Sequence, residues 1–476
     1  MDDLLRQGLR AAQSAGASYA DIRRSSRNTQ TIRAENGKLT AVNENADSGI
    51  GIRVLKDGAW GFAAAAGTAV DIQTLAARAV KLARASALLQ EKPVALAPAL
   101  PVEGSYQSTV RRDPFAVPLT EKAELVKGLT QERAHPAINH TRAELSFFKE
   151  TTEFANTEGS RFRQEFTQSG ADLTTRAVKS GQTAVRSYPA GLGGDHRAAG
   201  YEFIESLDLP AHASAIQREA AELLSAPPAP RGIFDVIIDS SQMALQIHES
   251  CGHPLELDRI LGTEISLAGG SFVGPADRKR LRYAAPVVNI TADATIAGGL
   301  GTFGVDDEGT PAARIGLIQD GMLANFLTSR ETAAACGLTV NGAMRADGWR
   351  YPPLIRMTNI NLEPGDWSLD ELIRDLKDGI LLKTNTSWSI DDLRLNFQFA
   401  TEIGYLIKNG SIAGIVKNPI YSGRTPDFWN SCDAVGNRAE WRLWGINNCG
   451  KGDPLQTMRV SHGTAPARFR KVRMGV

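Results

Sequence analysis

An excess of charge of either sign is missing from this chain, since 53 Lys and Arg offset 53 Asp and Glu across 476 residues. That balance gives no bulk electrostatic attraction to nucleic acid or to an anionic membrane surface, so neither is expected as a partner. Long hydrophobic runs are missing as well. The nearest approach to one, around Gly61 to Val70, is too short and too rich in Ala and Gly to cross a bilayer. The first residues, Met1-Asp2-Asp3-Leu4-Leu5-Arg6, carry acid where a secretory signal carries base, and no long apolar stretch follows. The protein is therefore expected to stay in the cytoplasm. Cysteine is sparse: Cys251, Cys336, Cys432 and Cys449 are scattered without a signal peptide, which argues against a disulfide framework and for reduced thiols. The ordinary role of such a thiol is that of a small buried hydrophobe. There is no fixed-period repeat and no low-complexity tail.

What is present is an ordinary globular composition, 42% hydrophobic and 22% charged, on a chain too long for a single core. Leu4, Leu5, Leu9 and Ala12 recur at helical spacing, predicting a helix over 2–15. Strands flank Asp57-Gly58, a dipeptide that tolerates the positive φ of a hairpin turn. A second long helix is predicted over 70–89, with Ile72, Leu75, Ala76, Val80 and Leu82 as its buried stripe. Residues 92–117 are rich in proline and lose periodicity, as a linker or extended crossover does. A helix over 121–133, antiparallel strands from Thr141 to Glu205 turning at Asn156-Thr157-Glu158-Gly159, and a helix over 211–224 follow. The segment Ala226-Pro227-Pro228-Ala229-Pro230-Arg231-Gly232 suits neither helix nor central strand. It divides an N-terminal α/β domain, 1–228 with a possible subdivision near 92–117, from a β-rich domain, 232–476. Hairpin turns at Asp320-Gly321 and Asn409-Gly410 and one helix over 368–377 fit the second part. The fold class is α+β: a mixed N-terminal region of antiparallel strands and long helices, then a mainly β domain carrying a metal-binding helix.

That helix follows a buried strand, Phe234-Asp235-Val236-Ile237-Ile238. Asp239, Ser240 or Ser241 can cap it, and it runs through Gln242 to Cys251. His248-Glu249-Ser250-Cys251-Gly252-His253 supplies two imidazole ligands and a carboxylate free for proton transfer, the combination that metal-assisted hydrolysis needs. On an ideal helix, histidines five apart stand roughly 140° apart at about 100° per residue. Both can reach one ion only if the helix ends, bends or widens into a π-type turn. Gly252 and Pro254 sit where such a break is required, one through unusual dihedrals and the other by interrupting the hydrogen-bond ladder. The bland alternative is one packed imidazole and one compensating the helix dipole.

This segment, with Pro254-Leu255-Glu256 after it, resembles the five-spaced His-Glu motif of the TldD/PmbA family, specifically its metal-binding, TldD-like members. Gly304-Val305-Asp306-Asp307-Glu308-Gly309-Thr310-Pro311 resembles the family's acidic loop, Arg356-Met357-Thr358-Asn359 its internal strand, and Asn448-Cys449-Gly450-Lys451-Gly452 its C-terminal cysteine loop. The resemblance is densest from Phe234 to Asp453. It implies a zinc peptidase in which His248, His253 and Cys449 hold one Zn2+ and leave a fourth position to water. Glu249 is then the general base, and a zinc-bound water is the nucleophile. Mixed imidazole and thiolate ligation favours zinc, with iron and cobalt as alternatives. The resemblance further implies unfolded or extended polypeptide as substrate, and a homodimer or a heterodimer with a homologous subunit lacking the metal motif. Two other readings stay open, a non-catalytic substrate-binding or regulatory subunit and a zinc hydrolase of another amide. The first predicts loss of the His-Glu-His segment and Cys449, both of which this chain retains.

Some residues near these motifs have plainer readings. Cys251, three residues from His248, has competition as a metal ligand as its alternative but is expected to pack, because Met243, Ile247 and Cys251 recur at intervals of four on an apolar face. Asp306, Asp307 and Glu308 read first as a solvated acidic turn, and a second carboxylate cluster is the alternative. His462 reads first as a surface histidine, with substrate binding or oxyanion stabilisation as its alternative. The basic, alternating tail Arg468-Phe469-Arg470-Lys471-Val472-Arg473 suits an edge strand.

Overall fold

The structure, a computed structural model, describes residues 3–264 and 269–475. Its N-terminal half is built on one long-stranded sheet. Strands β1 (Tyr19–Glu35), β2 (Lys38–Lys56) and β3 (Ala59–Ala66) form a meander, and β1 pairs on its other side with β5 (Ile138–Asn156). Next to β5 lies β6 (Arg161–Lys179), which in turn pairs with β7 (Gln182–Tyr188) and β8 (Asp195–Arg197). The expected turn at Asp57-Gly58 is a two-residue turn with both residues at positive φ, 53° and 76°. Its twist matches that of the flanking strands. The proline-rich stretch 92–117 is a crossover that also contributes β4 (Glu103–Gln107), parallel to β6 at the end of the sheet path. Proline spacing carried no sign of that short strand.

Helices α1 (Asp3–Ser14) and α2 (Ile72–Ala87) bury Leu5, Leu9, Ile72, Leu75 and Ala76 against β1 to β3. Close approach is possible because Gly61 has no side chain; a Cβ there would lie 2.1 Å from the Ala79 carbonyl oxygen. Helix α3 (Leu119–Gln131), the short α4 (Glu202–Ser206) and α5 (Leu209–Leu223) share a second core with Ile32, Leu145, Phe147 and Leu173. The strand pattern therefore stops before Glu205, where α4 takes over.

The C-terminal half winds around a closed ring of strands. β9 (Gly232–Ile238) lies between β16 (Gly379–Ile390) and β23 (Ala467–Met474), and β23 pairs with β19 (Ile420–Arg424). β19 pairs with β17 (Asn396–Lys408), which returns to β16 and closes the ring. β18 (Ser411–Lys417) and β20 (Cys432–Val435) extend it at β17 and β23. The basic tail is therefore not an edge strand, because β23 is paired on both sides. Its charges are matched instead, with Arg468 bonded to Asp433 and Asp375, and Arg470 to Asp433 and Asp235. A smaller sheet joins β10 (Ile290–Asp293), β11 (Arg314–Gln319), β12 (Met322–Leu323) and β15 (Ile360–Leu362). Among the described residues two hairpins complete the strands, β13 (Met344–Arg345) with β14 (Leu354–Ile355), and β21 (Arg442–Lys451) with β22 (Gln456–Thr464). The turns at Asp320-Gly321 and Asn409-Gly410 take the positive φ expected of them. Helix α6 (Ser240–Ile247) follows β9 directly. Among the described residues, short helices α7 (Leu257–Ile260), α8 (Arg330–Cys336), α9 (Leu369–Leu376, capped by Ser368) and α10 (Thr425–Asn430) complete this half. The architecture is α+β, with a β-rich C-terminal half. Among the described residues no helix is long and apolar enough to cross a membrane.

Candidate metal centre

Asp239 caps α6 by accepting from the Ser241 N–H at 3.0 Å. All eight residues of the helix are buried, so it runs through the core rather than over it. At His248 the helix widens into a π-turn over His248–Gly252, and the His253 N–H donates to the His248 carbonyl five residues back. This is the local expansion that the five-residue spacing demanded, and it brings both rings to the same side. Gly252 serves for a different reason from the expected one. Its φ is an ordinary −79°, but a Cβ would stand 2.0 Å from Met357 Sδ, so close packing is what excludes a side chain. Pro254 then sits in a 3-10 turn, His253–Leu255. Behind the π-turn, Tyr283 donates to the Ser250 carbonyl, and the Trp429 indole N–H donates to Ser250 Oγ at 2.8 Å.

His248, His253 and Cys449 come together, 248 and 253 from the helix end and 449 from β21. One ligand atom from each lies within 4.8 Å of the other two, and all three residues are buried. Cys449 lies in a strand, not in the glycine-rich loop expected of it, just beyond a bulge where β21 slips register against β22 between Ile446 and Cys449. A bulge re-aims the side chains that follow it.

Hydrogen bonds assign the imidazole tautomers. His462 Nδ1 lies 3.1 Å from the Ile360 carbonyl and must donate to it, so its Nε2 accepts. That nitrogen is 2.8 Å from His248 Nδ1, which must therefore be the donor and leaves His248 Nε2 with its lone pair free. His253 Nδ1 donates to Glu256 Oε2 at 3.0 Å, and its Nε2 faces Cys449 Sγ at 3.5 Å. Both ring edges in the cluster thus carry lone pairs. Burial holds His248 and His253 below the ordinary imidazole range, which keeps them neutral. Burial opposes the Cys449 thiolate, but His253 and the Arg356 guanidinium outweigh it and hold the thiol below its usual value. Glu256 is likewise held well below the carboxylate range; burial works against it, but Lys451 and His253 prevail. Two neutral nitrogens and a thiolate-prone sulfur are the donor set a zinc ion takes. Bond lengths of about 2.1 to 2.3 Å around a tetrahedral ion place ligand atoms roughly 3.5 Å apart. Cys449 Sγ and His253 Nε2 already have that separation and all three ligand atoms lie within 4.8 Å of one another, so the donor set fits the ion in chemistry and needs only a small contraction to close on it.

Glu249 lies beside the cluster, and its Oε2 accepts from Arg394 Nη1 at 2.9 Å. Cluster, Glu249 and Arg394 line a cavity of about 300 Å3 that also meets Trp388, Asn385 and the loop 190–194 from the N-terminal half. Cys251 stays out of it, packed with Met243 and Ile247 in the main core, its thiol pushed well up by burial. Cys432 is also buried, its thiol pushed up to about 12 by burial, and Cys336 is half-buried.

Two plain readings require correction. His462 is not a surface residue; it is wholly buried against His248. Asp306 and Glu308 are not solvated either. Asp306 accepts from the Glu308, Thr310 and Met344 N–H groups, and Glu308 accepts from Arg53 and the Arg330 N–H, so the acidic loop ties the two halves together away from the cavity. The segment Arg356-Met357-Thr358-Asn359 connects β14 to β15, and the Arg356 guanidinium donates to the Cys449 carbonyl. Sequence reasoning missed Arg394, Glu256 as the partner of His253, and Lys451 as the partner of Glu256 at 3.2 Å. Glu256 carried a signal, standing one turn beyond His253. Arg394 carried none.

A buried pair of imidazoles and a thiol beside a carboxylate, opening on a cavity of an α+β scaffold, is the class of site that metal-dependent hydrolases use. Comparison with known proteins gives that class a family. Residues 20–86, 112–226 and 231–475 match domain 1, the central domain and the C-terminal domain of the PmbA/TldA metallopeptidases. The chain belongs to this PmbA/TldD metallopeptidase family. It is 32% identical to a metalloprotease of Methanothermobacter thermautotrophicus, over 96% of this chain and 95% of the relative. A zinc metalloprotease TldD homolog of Saccharolobus solfataricus is 27% identical over 51% of this chain and 52% of that protein. In fold the chain is similar to TldE of Thermococcus kodakarensis, with a TM-score of 0.72, 16% identity and coverage of 99% of this chain and 100% of that one.

Proposed function

We propose that this chain is a zinc-dependent peptidase that hydrolyses peptide bonds of unfolded or extended polypeptides, with His248, His253 and Cys449 as the metal ligands and Glu249 as general base. The observation that carries this reading is the tautomer arrangement, which leaves His248 Nε2 and His253 Nε2 unprotonated in a cluster with Cys449, whose Sγ lies 3.5 Å from His253 Nε2. When bound, the ion supplies Lewis acidity and makes a water acidic enough to lose its proton near neutral pH. Three protein ligands leave one position open, as catalytic sites do and structural ones do not. Glu249 takes the proton and returns it to the leaving amine, the double duty of a general acid–base group. Arg394 fixes the orientation of that carboxylate toward the cavity. His462 and Glu256 hold the two ligand rings in the required tautomers.

A cavity of about 300 Å3 accommodates a few residues of chain and no folded domain, which favours an extended substrate. Assembly as a homodimer, or with a homologous subunit lacking the metal motif, belongs to the same proposal, as does residence in the cytoplasm. The test is cleavage of a denatured protein by zinc-loaded Glu249→Gln. A drop of at least about 100-fold is expected, with zinc content unchanged. Undiminished cleavage removes Glu249 from its role. A zinc-loaded wild type that cleaves other amides and no peptide contradicts the substrate class.

A further inference from the structure

Asn385 is the one cavity-lining amide left with neither end satisfied: Oδ1 and Nδ2 are both buried without a hydrogen-bond partner among the described residues, and the residue is 5% exposed. An unpaired buried amide is disfavoured, and such groups persist where something else requires them. Its backbone shows what holds it there. Thr384, just before it, is β-branched and yet sits at φ 63°, a conformation such residues avoid. Backbone strain of this kind concentrates at ligand sites. Immediately after Asn385, β16 slips register against β17, between Asn385 and Ser387. The Thr384 N–H donates to Ser241 Oγ in the first turn of α6, which ties the strained residue to the helix carrying His248. From the opposite side, Gly191 approaches so closely that a Cβ would lie 1.8 Å from the Asn385 carbonyl oxygen. On another wall of the cavity the Trp444 indole N–H is also buried and unpaired.

We propose that Asn385 is a positioning residue for the substrate main chain: its amide turns into the cavity and pairs with the N–H and C=O of one extended substrate residue near the scissile bond. In an extended chain these two groups of one residue lie on the same edge, as in the hydrogen-bonded pairs of an antiparallel sheet, and an amide offers one acceptor and one donor to match them. The amide is closed over in this structure, and no hydrogen bond opposes its rotation. Recognition of this kind is indifferent to substrate side chains. The inference rests on the peptidase reading above.

The test uses the zinc-loaded full chain and a peptide series in which backbone N–H groups outside the scissile bond are methylated one at a time. In the wild type, one methylation is expected to lower kcat/KM about tenfold, the loss of one hydrogen bond. Asn385→Ala, which removes both hydrogen bonds, is expected to lose about 100-fold on the parent peptide, with zinc content unchanged, and to lose nothing further at that methylated position. Asn385→Leu, closer in volume, repeats the comparison if the alanine variant folds poorly. Equal sensitivity of wild type and variants at every position overturns the assignment of Asn385 while leaving the peptidase reading intact. Failure of the wild type to cleave any peptide of the series overturns the peptidase reading, and this inference with it.

Discussion

His248 can present Nε2 to an ion only because its Nδ1 proton has somewhere to go, and that place is His462. His462→Phe keeps a ring of similar shape but removes the acceptor. Zinc affinity is expected to fall about 10- to 100-fold, measured by competition with a chelator, with the fold retained. His196 tests burial at another wall of the cavity. Its Nε2 lies 2.9 Å from both Ser146 Oγ and Asn447 Nδ2, and burial, followed by repulsion from Arg459, pushes its pKa from 6.5 down to about 4. Between those values the unfolded chain binds a proton that the folded chain does not. Stability from this group is therefore present above about 6.5 and lost as pH falls toward about 4, by of the order of 3 kcal/mol. Denaturant unfolding of His196→Gln is expected to show a shallower loss over that window than the wild type. Of these residues, His248, Glu249 and His253 were legible as a motif, because their chemistry is written within six consecutive positions. His462 was not, since a histidine two hundred residues away shows neither its burial nor its partner.

The decisive element is the π-turn, and it was legible because two histidines five positions apart cannot face one point from a regular helix. What could not be read was why Gly252 is glycine: Met357 lies more than a hundred positions away and fills the space a side chain needs. Gly252→Ala is expected to destabilise the protein by about 1–3 kcal/mol through overpacking. Adding Met357→Ala should give less than the sum of the two single losses in denaturant unfolding, since the two changes share one space. Additive losses would separate the residues. The hairpin turns at Asp57-Gly58, Asp320-Gly321 and Asn409-Gly410 were legible for a local reason, positive φ at both positions of each. β23 was misread as an edge because its arginines find Asp235, Asp375 and Asp433 only after the strands assemble.

Across the whole molecule, the two halves are joined by buried charges that no composition reveals. Arg53 in β2 pairs with Asp21 in β1 at 2.7 Å and reaches across to Glu308 of the acidic loop at 3.2 Å, all three buried. Arg186 and Glu402 make a second such link at 2.6 Å. Arg53→Met strands two carboxylates, and a loss of about 3–5 kcal/mol is expected in equilibrium unfolding; a loss below about 1 kcal/mol would show that the link is not under load. The α+β class and the β-rich C-terminal half were legible from periodicity and turn residues. The shared cavity wall was not, because loop 190–194 meets the C-terminal half only through tertiary contact. Its Gly191 and Asn385 lie far apart in the chain and touch only in the fold.

Coordination of one zinc ion by His248, His253 and Cys449 is the central proposal, and X-ray absorption at the zinc edge measures it directly in the reconstituted protein. One zinc per chain is predicted, with two nitrogen ligands, one sulfur and a remaining light-atom position, and the sulfur signal lost in Cys449→Ser but kept in Cys251→Ser. A zinc shell without sulfur, or one that keeps its sulfur in Cys449→Ser and loses it in Cys251→Ser, would contradict it.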